Sequence, residues 1–188
     1  WPGSPEIWRE IVRELINVAK TISTNVDTKM RSGDWMVDKA IARLNTLDGT
    51  GGLVELVNRA REPLQGDIFT LGHGDLNFTN VFYSVNTGGF KLIDPRGTPV
   101  PWSYELAKIA ASYVFAPLIH GLHNSVKLFP VRDHETDAIC NEVAQMIGER
   151  RLHLTLGTIF LSSAPLHPED QRGILLMAGK YHLREGLR

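Results

Sequence analysis

Asp75, Asn80 and Asp94 are the residues of this chain whose types and spacing could do chemistry. They sit in His73-Gly74-Asp75-Leu76-Asn77-Phe78-Thr79-Asn80 and Phe90-Lys91-Leu92-Ile93-Asp94. An Asp with an Asn five residues on, then a short hairpin ending in a second Asp, is how a phosphoryl-transfer site collects its base and metal ligands. Such transfer asks little covalent chemistry of a protein; the work is to align an acceptor hydroxyl with a phosphate and to offset charge on the phosphate oxygens. An Asp in the loop can orient the hydroxyl and take its proton, which makes Asp75 the candidate base. Asn80 offers an amide oxygen and Asp94 a carboxylate, the hard oxygen ligands that Mg²⁺ prefers, and the phosphates of ATP with water complete the shell. Gly74 removes bulk beside the base, and Pro95 fixes the chain's exit from the strand. His73 is expected to pack or hydrogen-bond within the loop and is not assigned as the base.

Positioning these groups falls to a hairpin within a helical frame. Val81-Phe82-Tyr83 and Phe90-Lys91-Leu92-Ile93 read as its strands, closed through Asn86-Thr87-Gly88-Gly89, with another short β-prone run at Ile68-Phe69-Thr70-Leu71. Asn80 then precedes the outgoing strand and Asp94 ends the returning one, so both emerge at one end. Upstream, Ser4-Pro5-Glu6 looks like a helix start, and Ile7, Ile11, Leu15, Val18 and Ile22 recur at helical spacing. Further helices are predicted over 35–47, 53–60, 104–120, 133–150, 152–162 and 168–186, with Gly49-Thr50-Gly51-Gly52 as a helix-joining turn. Helices before and after one small sheet predict an α+β fold dominated by helix.

The motif set, extended by Pro95-Arg96 and by Tyr104-Glu105-Leu106-Ala107-Lys108, resembles the aminoglycoside phosphotransferase and choline kinase superfamily of small-molecule kinases. The resemblance spans 69–108. It implies the mainly helical C-terminal lobe of a protein-kinase-like fold, with the hairpin at the catalytic loop, and assigns the base to Asp75 and the magnesium ligands to Asn80 and Asp94. Asp-Pro-Arg-Gly after the strand also resembles phosphotransferase domains of bacterial sugar and capsule biosynthesis proteins. Where relatives carry an Asp before Leu-Ala to brace the loop, this chain has Glu105. The N-terminal lobe of such kinases, with its phosphate-covering loop and strand lysine, has no counterpart upstream of the loop. The expectation is therefore one domain, 1–188, that is the C-terminal lobe of a longer enzyme or a natural remnant.

The activity expected is ATP- and Mg²⁺-dependent phosphorylation of a hydroxyl on a sugar, aminoglycoside or amino alcohol. A non-catalytic kinase-like binding module is the alternative, motivated by the missing lobe, and a metal-dependent hydrolase is a weaker third reading. The partners expected are the nucleotide, a small hydroxyl-bearing substrate and a preceding lobe of the same protein.

Bulk properties agree. The 188 residues suffice for a full core, and 20 basic against 21 acidic residues give a net charge of −1, which offers no field for nucleic acid or anionic lipid. The most apolar stretch, 109–119, is too short to span a bilayer, and the expected location is the cytoplasm. Cys140 has no partner cysteine and falls on the buried side of a helix. His120 and His123 lack a third metal ligand and read as helix-end histidines. Asp133, Glu135, Asp137 and Glu142 read as a solvated acidic helix, with a cationic-substrate site as the alternative. Trp8, Trp35, Trp102 and Phe115 read as core, and Arg96 as either an ion-pair partner of a nearby acid or a phosphate contact.

Overall fold

A computed structural model describes residues 5–84, 87, 89–121 and 134–188. The chain folds as α+β, mainly helical. Helix α1, Pro5–Ile22, buries Val12, Leu15, Ile16 and Ala19, a stripe at helical spacing that packs on α4, Trp102–Gly121, and α5, His134–Ile147. Arg13 of α1 reaches Glu142 of α5 at 3.0 Å, so that acid belongs to a surface ion pair. Helix α2, Ser32–Leu44, starts three residues before the position its apolar periodicity marks. Gly33 in the first turn is the reason: a Cβ there would come 2.0 Å from the Arg61 carbonyl, so the helix start is packed against 61–65 and carries no side chain to register. Helix α3, Gly51–Arg59, begins inside the glycine cluster.

Helix α6, Glu149–Ser163, is the axis of the core. Leu152 and every residue from Leu154 to Ser162 are buried, and it packs on α2, α4, α5 and α7, Glu169–Gly186. A helix enclosed on all sides needs no polar face. Cys140 is half-buried against this core, as are Trp35 and Trp102. Ser4, Asn86, Gly88, His123 and Asp133, with the side chains of Trp8, Phe115, His120, Glu135 and Asp137, lie outside the described residues.

The β structure forms two small sheets where one was expected. Strands β1, Thr24–Val26, β2, Phe69–Leu71, and β5, Val100–Pro101, form an antiparallel sheet in the order β1-β2-β5. Strands β3, Val81–Tyr83, and β4, Phe90–Leu92, form the expected hairpin, with Val81 opposite Leu92. β1 and β5 are too short and too polar or proline-bearing to show an alternating pattern. They matter because β2 leads directly into the Asp75 loop, while β5 leads into α4. Asp67 holds the latter junction by accepting from the Ser103 N–H at 2.8 Å in the first turn of α4, where a carboxylate suits the helix dipole. No helix among the described residues is long and apolar enough to cross a membrane.

Candidate active site

Loop 72–80 is held at both ends by neighbours distant in sequence. Glu105, in the first turn of α4, is fully buried and accepts from the His73 N–H at 2.8 Å and the Gly74 N–H at 2.9 Å. Burial pushes its carboxyl up, and the two N–H bonds partly offset that. The extra methylene relative to Asp does not prevent the brace. His73 Nε2 lies 2.9 Å from the Ile93 carbonyl, which can only accept, so Nε2 carries the proton. Returning from the hairpin, the Arg96 N–H donates to the His73 carbonyl at 2.8 Å. Gly74 has φ 79, and a Cβ there would stand 2.9 Å from Arg96 Cβ, so both conformation and space call for glycine.

Asp75 is buried at the point where loop, hairpin exit and α4 meet. Arg96 donates to Oδ2 through Nη2 at 2.6 Å and Nε at 3.1 Å, and Lys108 of α4 pairs with Oδ1 at 2.8 Å. Burial alone would raise this carboxyl, but the charge and hydrogen bond of Lys108, joined by Arg96, hold it at about 2. Asp75 is therefore ionised throughout the working range, and Arg96 is its ion-pair partner.

Asn80, also buried, donates through Nδ2 to the Asp75 carbonyl at 2.9 Å, which turns its amide oxygen away from that carbonyl. The Ile93 N–H donates to the Asn80 carbonyl at 3.0 Å, extending the hairpin register by one residue, with Asp94 the next residue along the chain. Asp94 is exposed and has φ 55, the one described non-glycine residue in the left-handed region. A residue before proline is normally extended, and the exception here turns the chain sharply enough for Arg96 to return to the loop. Among the described residues no three His, Cys, Asp or Glu side chains converge to hold a metal. One amide oxygen and one carboxylate fit an ion that keeps water and phosphate ligands, as Mg²⁺ does, and not a metal caged by protein alone.

Sequence reasoning missed the residues around Asp75. Lys108 stood in a recognised motif without a role. Lys39 of α2 gave no signal: its Nζ donates to the Tyr104 hydroxyl at 2.8 Å and stands 4.6 Å and 4.4 Å from the ring centroids of Trp35 and Tyr104. The two rings meet edge to face at 4.9 Å.

The molecule is thus a mainly helical α+β protein in which a hairpin and a helix start clamp a buried, cation-paired aspartate. No family model and no curated protein matches the chain. Among solved structures it is similar to Plasmodium vivax ethanolamine kinase, at 15% identity and a TM-score of 0.39, over 99% of this chain. The chain spans 50% of the length of that kinase.

Proposed function

We propose that this chain is the C-terminal lobe of a protein-kinase-like enzyme that transfers a phosphoryl group from ATP, with Mg²⁺, to a hydroxyl of a small molecule. The observation that carries the reading is the braced loop in which Asn80 bonds to Asp75, with the hairpin register that sets Ile93, the residue before Asp94, against Asn80. Asp75 receives the acceptor's hydroxyl hydrogen bond on a lone pair left beside Lys108 and Arg96, orients the oxygen toward the phosphate, and takes the proton as the new P–O bond forms and the bond from the γ-phosphorus to the bridging oxygen breaks, releasing ADP. A carboxylate held at about 2 is a weak base, which is tolerable where the transition state is loose and the proton leaves late. Asn80 and Asp94 would hold the Mg²⁺, which supplies offsetting charge to the phosphate oxygens when bound.

Replacing Asp75 with Asn keeps the shape and removes the proton acceptor. Turnover of the full-length protein should fall about 10²- to 10⁴-fold, with Mg-ATP affinity little changed by calorimetry; turnover near wild type counts against the assignment. A second reading, a kinase-like module that binds without turnover, draws on the engagement of both Asp75 oxygens by cations. It predicts binding of a partner or metabolite through the helical lobe, with no Mg-ATP binding and no phosphoryl transfer to any alcohol.

A further inference from the structure

The charge around Asp75 points to the kind of acceptor. Lys39 and Arg43 lie one turn apart on α2, and Tyr104 and Lys108 one turn apart on α4, so each pair shares a helix face. The bond from Lys39 Nζ to the Tyr104 hydroxyl shows that these two faces meet. Arg43 spends one nitrogen on the Ser162 carbonyl at 3.0 Å. Lys39, Arg43, Arg96 and Lys108 thus surround a region whose carboxylate is Asp75, and Asp75 is already paired twice. Neither Lys39 nor Arg43 has a carboxylate partner among the described residues. A half-buried ammonium bonded only to a phenol and two ring faces is a charge awaiting a counterion. The cluster opens to solvent on the side of Arg96, whose side chain is 56% exposed.

We infer that the acceptor is a hydroxyl compound bearing an oxyanion, a carboxylate or a phosphate, seated between α2 and α4 on Lys39 with Arg43 and Lys108 behind it. The inference rests on the phosphotransferase reading for the word acceptor, and on charge and geometry for the anion. A cationic alcohol would be set against these cations at a cost in like-charge repulsion. Burial, with Arg43, Lys108 and Arg96 against Asp75 alone, brings Lys39 down to about 7. An oxyanion restores the ammonium, so binding near neutral pH takes up a proton.

The test uses the full-length protein and a three-carbon series, glycerol, glycerate and glycerol 3-phosphate, with the two-carbon ethanolamine as the cation. Calorimetry without nucleotide, in two buffers of different ionisation enthalpy at pH 7, reads affinity and proton uptake; a coupled assay with Mg-ATP reads turnover. The expected result is that glycerate or glycerol 3-phosphate binds about 10- to 100-fold more tightly than glycerol, the range of one charge-assisted hydrogen bond, with proton uptake. Which of the two binds better assigns the anion. Lys39→Met, which keeps the apolar stem, should abolish both the preference and the uptake while leaving the KM for ATP unchanged. Equal binding across the series, tighter binding of ethanolamine, or a Lys39→Met effect confined to the KM for ATP would overturn the inference. Oxyanion binding lost in Lys39→Met, with no phosphoryl transfer to any compound, upholds the anion site and removes the kinase reading. Turnover on glycerol or ethanolamine alone does the reverse.

Discussion

Asp94 shows how a single residue can carry two separable burdens. Its left-handed backbone turns the chain after β4, and its carboxylate is the proposed magnesium ligand. An L side chain in this region costs about 1–2 kcal/mol, less for Asp, and glycine nothing. Asp94→Gly should therefore melt no lower than wild type, and up to about 1 kcal/mol higher in stability, while losing Mg-dependent nucleotide binding. Joint loss of stability and binding would mean that the carboxylate holds the fold. At this scale the closeness of Asp75 and Asn80 was legible, because both lie in one short loop. The sequence was silent where partners meet only through tertiary packing. Nothing in the spacing of Lys39 or Lys108 announces Asp75 or Tyr104, because 33 or more positions separate each from its contact.

At the scale of elements, α6 and α7 pack at close range through small residues. A Cβ added at Gly157, Gly179 or Gly186 would come within 2.5–2.6 Å of Leu183, Leu161 or Leu154 respectively. Glycine inside a helix ordinarily costs about 1 kcal/mol against alanine, so these positions trade propensity for approach. The opposite case stands in the same helix: Gly173 of α7 has open space where its Cβ would be. Gly173→Ala should raise stability by about 0.5–1 kcal/mol, whereas Gly179→Ala should lower it by about 1–3 kcal/mol through overpacking, both read by denaturant unfolding. Equal effects would mean that the helices part easily. Long helices were legible from periodicity, as α1, α4 and α7 show. β1 and β5 were not, since strands of three and two residues are defined by pairing with β2 alone.

For the whole molecule, acid sensitivity should originate outside the candidate site. His182 of α7 and His153 of α6 face each other through their Nδ1 atoms at 3.0 Å, so one must donate and the other accept. Burial, with the charge of His153, lowers His182 to about 3 from 6.5. The unfolded chain binds this proton below 6.5 and the folded chain does not until about 3, so stability falls as pH drops through that window. At pH 5 the loss is about 2 kcal/mol, and His182→Gln should flatten the decline in melting temperature between pH 7 and 5. An unchanged slope would place the sensitivity elsewhere. Asp75 works in a lower window: its depressed carboxyl contributes above about 4 and is lost toward 2.

The pairing of Val81 with Leu92 and the bond from Ile93 to Asn80 set Ile93, the residue before Asp94, against Asn80 by strand register, whatever number of residues closes the turn. Residues inserted between Tyr83 and Phe90 leave that arrangement intact, while one residue lost from β4 reverses which face each of its side chains occupies. The separation of fourteen positions is thus an accident of loop length. A pattern that fixes it will overlook distant kin, and one that fixes the two strands and lets the turn vary will find them.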